Sequence, residues 1–549
     1  MIQMHSWILL GFGTGTLLFA LFRCGQRLHS LGLKSARQAA LSHLPFALLA
    51  VVYFLVRFSY RDVRPIWDGG NYWLQYLQIH RQPFDLSTFN ISGLTTQAAV
   101  ALYSLSYPLT RQSIIGFNLW MAVLGTLGLV IFYRLVQELF REWIRPIEAA
   151  LLTACFAFHP TVLGPSLNFS FDWALTFFFL SYWLALLKRR PWMATAAGIC
   201  LVFSKDAGII LLPWPWLHVL MFRREFRSER RWRIRYATVL ALPAGLLCLY
   251  GIYLSRIRHM DWFSWEPARR VWEHWLLIYG LNFNWVATGV ILAGILYWDW
   301  RSSPARNLLR RPLTGVGLVM LACSWALTQV TSWSHPRSYM LLSPLLILGI
   351  GAATQEFALR KCARLTIFGL FGCLWAVQCW GSVDPVSNRL FGTIPFGSRR
   401  LISIASWTGE GPGGGRDQLI YNLEWTYLPR IVDRFLAVVK PDNQTCMTYD
   451  ALAPVLFPRL NRETWKPDDN PETSFEPLYR SLPEVVQSPA RPRLLYCIHL
   501  PAFEEPQLEE VARRYTRREE LTWDFHGYQL RVTKLSGPIA PVVAPRRRV

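Results

Sequence analysis

Acidic and basic side chains interrupt the apolar segments of this chain at a few positions, and these side chains could carry chemistry. Asp68 lies in RPIWDGGNYW and Asp172 in HPTVLGPSLNFSFDWAL, Lys205 and Asp206 share FSKDAGIILLP, and Arg337 lies in SHPRSYMLLSPLL. A positioned carboxylate can move a proton, and a positioned Lys or Arg can stabilise negative charge. Because charges at the edge of a membrane are costly and usually functional, these residues are the first candidates for a site.

Each of these candidates also has a purely structural explanation. Asp68 could cap a helix or stabilise the turn made with the glycines after it, and Asp172 could cap the start of a helix. Lys205 and Asp206 could neutralise one another, and Arg337 could extend its charge to the lipid headgroups. The functional interpretation is favoured for the set, because the topology below places all of them on one side of a membrane.

The composition predicts a polytopic α-helical membrane protein. Of the 549 residues, 52% are hydrophobic and only 17% are charged, whereas soluble domains have roughly 25% charged residues. The apolar residues form long blocks rather than amphipathic stripes, which is typical of membrane spans. This pattern excludes a soluble enzyme.

The apolar blocks alternate with connections, and every second connection is rich in Lys and Arg. Short basic loops stay on the cytoplasmic side, because moving them across a membrane is costly. We therefore predict about twelve spans, with the candidate residues on the outer side. The blocks cover residues 7–22, 41–58, 113–133, 147–160, 172–187, 191–203, 207–222, 236–254, 285–300, 313–330, 340–356 and 365–381. The basic connections are Arg23–Arg37, Arg134–Arg145, Lys188–Arg190, Arg223–Arg235, Arg301–Arg311 and Arg360–Arg364.

The formal net charge of +22 does not indicate a nucleic-acid partner. The arginines cluster in short loops between apolar blocks, where the membrane topology explains them. Nucleic-acid binding is therefore not predicted.

Two domains are predicted. Residues 1–381 form the transmembrane domain, and its long outer loop at 59–112 carries Asp68. Residues 382–549 are numerous enough for a small soluble domain, which would lie outside the cytoplasm.

The second domain is predicted to have a small α/β or α+β fold. Cys446 and Cys497 each lie in a candidate strand, and a disulfide between them stays open. The candidate strands are Thr445–Ala451, Arg493–Leu500 and Tyr528–Leu535, and a helical stretch covers Glu504–Tyr515.

The candidate residues resemble the pattern of the GT-C superfamily of integral-membrane glycosyltransferases. The likeness rests on an acidic residue in the first outer loop (Asp68), a second near the next outer loop (Asp172), a Lys in a broken apolar stretch (Lys205) and an Arg-x-Tyr motif at Arg337. It is greatest to the protein O-mannosyltransferases and to the bacterial transferases that add aminoarabinose to lipid A. The likeness covers residues 59 to 348 approximately.

The resemblance implies an inverting hexosyl- or pentosyltransferase that uses a polyprenyl-phosphate-linked donor. It implies that Asp68 is the catalytic base, that Asp172 is a second catalytic carboxylate, and that Lys205 and Arg337 bind the donor phosphate. Asp172 would orient the acceptor, hold Lys205 or help to bind a divalent metal such as Mg or Mn. The side chains implied to line the substrate site are Trp67, Asn71, Tyr72, His159, Asp206, His335 and Tyr339.

Two departures from the family pattern leave other classes open. Two spans precede the first outer loop where the family usually has one, and RPIWDGGNYW has one acidic residue where many members have a pair. A transporter or flippase of a lipid-linked or anionic substrate also uses many spans and embedded charges. A non-catalytic scaffold with the GT-C fold is the other alternative.

The resemblance also implies a location and partners. It places the protein in a bacterial inner membrane, with its site facing the periplasm or the exterior. The acceptor could be a protein, a lipid or a glycan, and the sequence does not choose among them.

Overall fold

A computed structural model shows a helical unit and a smaller unit that contains a β-sheet. The helical unit comprises Met1–Val63, Gln75–Ile394 and Leu401–Asn422, and the second unit comprises Arg64–Leu74, Pro395–Arg400 and Leu423–Val549. The domain boundary predicted after residue 381 stays a prediction. The structure describes residues 33–63, 65, 68–80, 91, 95–111, 113–167, 169–222, 230–255, 275, 278–279, 285–300, 312–330, 339–357, 359–380, 394–396, 399–401, 445–448, 482–487, 491–499, 506–525 and 528–539.

Prolines set the starts of several helices. Pro146, Pro160, Pro191, Pro213 and Pro312 each occupy a first helical position, where the missing N–H costs nothing and the fixed φ suits a helix. The helices before residue 381 are α1 Leu33–Ser59, α2 Asp68–Ile79, α3 Gln97–Ser104, α4 Tyr107–Thr110, α5 Ile114–Leu139, α6 Pro146–Ala157, α7 Pro160–Leu163, α8 Asp172–Leu187, α9 Pro191–Val202, α10 Gly208–Leu211, α11 Pro213–Phe222, α12 Arg230–Ser255, α13 Trp285–Trp300, α14 Pro312–Val330, α15 Leu342–Glu356 and α16 Lys361–Trp380, with a 3₁₀ turn at Pro165–Leu167.

The helices coincide with the predicted apolar blocks from residue 41 onward, and the block at 7–22 lies outside the described residues. Among the described helices, three are long and apolar enough to cross a membrane: Leu41–Ser59 of α1, α5, and Ile234–Ile252 of α12. The pair formed by α6 and the segment from α7 to Leu167, bent by 59°, raises this number to four. The chain is therefore a polytopic helical membrane protein, and the number of about twelve spans stays a prediction.

The core of the helical unit lies around α8 and α15. Every residue from Leu342 to Thr354 of α15 is buried, and this helix packs against α6, α13 and α14. Helix α8 packs against α5, α9 and α11 and buries Trp173, Tyr182 and Trp183 completely. Helices that are apolar all round belong in a core, which agrees with the sequences of both.

Ion pairs join segments that the sequence assigns to the basic side. Lys188 Nζ lies 3.5 Å from Glu138 Oε1. Glu148, which is fully buried, accepts hydrogen bonds from the backbone N–H of Arg145 and from the guanidinium of Arg364, whose Nη2 lies 2.8 Å from Glu148 Oε1. These contacts join segments that the sequence assigns to one side, and the alternation of the spans stays a prediction.

The second unit contains a four-stranded mixed sheet. The elements after residue 381 are β1 Ile394–Phe396, β2 Arg399–Leu401, β3 Thr445–Thr448, α17 Leu482–Gln487, β4 Leu494–His499, α18 Pro506–Ala512, β5 Tyr515–Phe525 and β6 Tyr528–Pro538. The strand order in the sheet is β3-β4-β6-β5. Strand β3 is parallel to β4, and the other two pairs are antiparallel. The buried cluster between helices and sheet consists of Val485, Leu495, Cys497, Leu508, Val511, Tyr515 and Leu535.

The strand register separates the two cysteines considered for a disulfide, Cys446 and Cys497. Cys497 is buried and lies opposite Thr448, while Cys446 lies opposite Leu495. The two cysteines are therefore offset by two residues along the parallel pair. That offset exceeds the short Cβ–Cβ separation that a disulfide requires.

Candidate active site at the membrane edge

Lys205 and Asp172 form an ion pair in the helical unit. Lys205 Nζ donates to Asp172 Oδ1 at 2.6 Å, and the Lys205 side chain is 24% exposed while that of Asp172 is 8% exposed. The bond is short, as expected when both partners are charged. Neutralisation of Lys205 by Asp206, its neighbour in sequence, is therefore wrong, because the ammonium turns to Asp172 instead.

Asp172 reaches this position from the first turn of α8. Phe171 is the capping residue, and no side-chain cap is present, so the explanation of Asp172 as a helix cap is wrong. The helix N-terminus still favours a carboxylate there, because the backbone dipoles point their positive ends toward it. The Asp172 carboxylate is thus held by the helix on one side and by Lys205 on the other.

A tight turn between α9 and α10 carries Lys205. The backbone N–H of Gly208 donates to the carbonyl of Lys205 at 2.8 Å. Gly208 also approaches the last turn of α9 so closely that an added Cβ would overlap the carbonyl of Leu201 and the Cα of Val202. Glycine permits this approach because it has no side chain.

Replacing Gly208 with Ala is expected to destabilise the protein by about 1–3 kcal/mol, because backbone atoms must move to admit the methyl group. Thermal unfolding of the purified protein measures this effect. Gly245→Ala in α12 is the matched control, since no atom lies within 4 Å of the added Cβ. Equal unfolding temperatures for Gly208→Ala and the control would contradict the expectation.

Asp206 accepts hydrogen bonds from Thr95, which lies in the predicted first outer loop. The backbone N–H of Thr95 donates to Asp206 Oδ1 at 3.0 Å, and the Thr95 hydroxyl donates to the same oxygen. Nearby, the N–H of Ala98 donates to the carbonyl of Phe203 at 2.8 Å. Hydrogen bonds therefore join the segment at the start of α3 to the turn that carries Lys205.

An aromatic cluster fixes the chain that leads to Asp172. The Tyr103 hydroxyl donates to the carbonyl of Ser170 at 2.6 Å, and the ring of Tyr103 lies 5.4 Å from Phe169 and 5.8 Å from Phe117. Burial raises the pKa of Tyr103, and the negative charge of Asp172 raises it further. The phenol therefore stays protonated and donates to the segment just before α8.

Arg57, near the end of α1, holds the bent segment that precedes Asp172. Its Nη1 and Nη2 atoms donate to the hydroxyl and the carbonyl of Ser166 at 2.6 and 2.9 Å, and the residue is only 4% exposed. Ser166 lies in the 3₁₀ turn. Arg57 is not among the predicted site residues because it lies inside an apolar block, although a single Arg in such a block is itself a signal.

The structure describes only some of the other predicted site residues. Asp68 is the first residue of α2. Tyr72 is half-buried, and Tyr339 is fully buried. His159 is fully buried and caps α7 by accepting from the N–H of Thr161, which is a structural role. The remaining predictions lie outside the described residues: the side chains of Asp68 and Asn71, and all of Trp67, His335 and Arg337.

The described residues do not form a metal site. No group of three His, Cys, Asp or Glu side chains converges among them. The Asp172 and Asp206 carboxylates instead accept hydrogen bonds from Lys205 and Thr95.

No protein-family model and no curated protein sequence matches the chain. Solved structures do match. ArnT from Cupriavidus metallidurans in the apo state gives a TM-score of 0.50 at 13% identity, covering 89% of this chain and 97% of ArnT. The same protein bound to undecaprenyl phosphate gives 0.49 at 14% identity, with the same coverage. The arabinofuranosyltransferase AftD from Mycobacteria gives 0.42 at 14% identity, covering 90% of this chain and 40% of AftD.

The apolar helices and the match to ArnT define the class of protein, an integral-membrane protein of many helices. Within that class, the chain has the GT-C fold, which confirms the resemblance found in the sequence.

Proposed function

We propose that the protein is a membrane glycosyltransferase, which moves a sugar from a polyprenyl-phosphate-linked donor to an acceptor on the extracytoplasmic face. The observation that carries the proposal is the pair of Lys205 and Asp172 in a GT-C fold. A partly exposed cation, aimed by a buried carboxylate at the edge of apolar helices, suits a phosphate on a lipid. The fold of ArnT adds support, because ArnT is a lipid A aminoarabinose transferase.

The need for a cation follows from the charge that develops on the leaving group. As the bond between the anomeric carbon and the phosphate oxygen breaks, its electron pair moves to that oxygen. The donor phosphodiester carries one negative charge, and the released monoester carries two. Lys205 and Arg337 stabilise the second charge. A cationic group that is already in place does so without having to move during the reaction. Asp172 keeps the ammonium of Lys205 in place.

Asp68 acts as the general base in this proposal. The acceptor oxygen attacks the anomeric carbon from the face opposite the phosphate, which inverts the configuration, and its proton passes to the Asp68 carboxylate. Asp68 is the first residue of α2, and a helix N-terminus favours the ionised carboxylate that must accept the proton. The same proposal includes a hexosyl or pentosyl group as the transferred sugar and a divalent metal, Mg or Mn, as a cofactor.

The location is proposed with the function. The basic connections support a cytoplasmic side opposite the site. We therefore place the site on the periplasmic or exterior face of a bacterial inner membrane. Asp206 and Tyr72 stay proposed as substrate-lining residues.

Purified protein, mixed with a membrane extract that contains radiolabelled polyprenyl-phosphate sugars, is expected to transfer label to an acceptor fraction. Each transferred sugar should release one polyprenyl phosphate, because the reaction breaks a single bond in the donor. Protein, lipid and glycan fractions are counted separately, with boiled protein as the control. Parallel samples with EDTA, and with Mg or Mn restored, measure metal dependence.

Two other results would overturn the proposal. Accumulation of label inside proteoliposomes without transfer would indicate the transporter. Absence of both transfer and accumulation would indicate the non-catalytic scaffold.

A further inference from the structure

We infer that Thr95 is a positioning residue, which holds the Lys205 turn through Asp206 so that the Lys205 ammonium meets the donor phosphate. The inference rests on the proposed function and adds to it a residue outside the set predicted from the sequence. It also gives Asp206 a second part besides lining the substrate site.

The geometry at Asp206 carries the inference. Thr95 is fully buried and directs two donors, its N–H and its hydroxyl, at one carboxylate oxygen of Asp206. The next residue back along the chain, Lys205, pairs with Asp172 on α8. The turn is therefore fixed from two separate segments: Asp172 holds the Lys205 side chain, and Thr95 holds the residue beside it.

A lysine needs such support more than most cations do. Its charge is carried at the end of a flexible four-carbon stem, which loses rotamer freedom when the ammonium is held in one place. Binding sites are effective when neighbouring residues fix that geometry in advance. Two hydrogen bonds to a charged acceptor are strong enough to set the position of a four-residue turn, because each exceeds a neutral hydrogen bond in strength.

The contact also connects the turn to the first outer loop. Thr95 lies within the loop predicted at 59–112, just before α3, and the bond from Ala98 to Phe203 continues the same connection. A displacement of this part of the loop would therefore reach Lys205. Substrate contacts made by the loop and by Lys205 are expected to depend on one another.

The test measures binding of polyprenyl phosphate to the purified full-length protein in detergent, together with the kinetics of sugar transfer. Thr95→Val, which keeps the shape but removes the hydroxyl, is expected to weaken binding by about tenfold. Thr95→Ser restores the hydroxyl and should bind within about threefold of the wild type. Asp206→Asn keeps an acceptor oxygen and should bind more tightly than Asp206→Ala.

Two comparisons separate positioning from a general loss of stability. Thr153→Val removes another buried hydroxyl, which bonds only within α6, and should leave binding unchanged. In a Lys205→Met background, Thr95→Val should weaken binding no further, because its effect acts through Lys205.

Equal binding by wild type and Thr95→Val, or an undiminished Thr95→Val effect without Lys205, would overturn the inference. Wild-type protein that binds polyprenyl phosphate without transferring sugar would refute the proposed function, while the binding comparison still decides the role of Thr95. Absence of wild-type binding would overturn both.

Discussion

Replacing Lys205 with Met is expected to lower sugar transfer by about 10²–10³-fold, the usual cost of removing one group that stabilises charge in a transition state. The ammonium of Lys205 is partly exposed and is held 2.6 Å from Asp172 Oδ1. Met is similar in length and apolar, so the change removes the charge and little else. Initial rates at saturating donor measure the effect.

A charge-balanced double variant controls for damage to the fold. Lys205→Met leaves the Asp172 carboxylate without its partner in a site where it is only 8% exposed, and an unpaired buried charge is destabilising. Lys205→Met combined with Asp172→Asn removes both charges and should restore stability but not transfer. Recovery of transfer in the double variant would show that Lys205 acts only by balancing Asp172.

Replacing Asp68 with Asn is expected to lower transfer by about 10²–10⁴-fold, the range that a general base contributes. Asn has the same shape but cannot take the proton of the acceptor hydroxyl at neutral pH. Binding of polyprenyl phosphate should be unaffected, because Asp68 does not contact the leaving group in the proposed mechanism. Transfer rates and donor binding are therefore measured on the same preparation.

Asp62→Asn provides the matched control for Asp68. Asp62 is an exposed residue in the turn after α1, and its replacement should leave transfer within about twofold of the wild type, as for most surface changes. Equal rates for Asp68→Asn and the wild type would keep the enzyme but remove Asp68 from its catalytic role.

The helices could be predicted from the sequence because burial in a membrane leaves a simple signal. Apolar blocks such as 172–187 and 285–300 coincide with α8 and α13 to within a residue. The ends of the blocks are clear because prolines and polar residues lie at them. The candidate residues Asp172 and Lys205 could be found for the same reason: a charge stands out against an apolar background. Their placement on one side followed from the basic loops.

The pairing of Asp172 with Lys205 was one of three roles that the resemblance implied for Asp172, and the sequence did not choose among them. Lys205 has carboxylates at Asp206 and Asp172, and only the path of the chain between α8 and α9 decides that it pairs with Asp172. Thr95 gave no signal, because a threonine before a helix usually serves as a cap. In the second unit, β5 was not predicted because its run of Arg517 to Glu520 lacks alternating apolar residues. This strand is held instead by its antiparallel pairing with β6.

The bond between Arg364 and Glu148 has a consequence for the synthesis of the protein. The two residues are 216 positions apart, so at ordinary elongation rates the ribosome needs roughly 10 to 40 s to reach Arg364 after making Glu148. Until then Glu148 has no guanidinium to pair with, and a lone carboxylate is costly to bury. We expect the start of α6 to stay hydrated until Arg364 of α16 reaches Glu148.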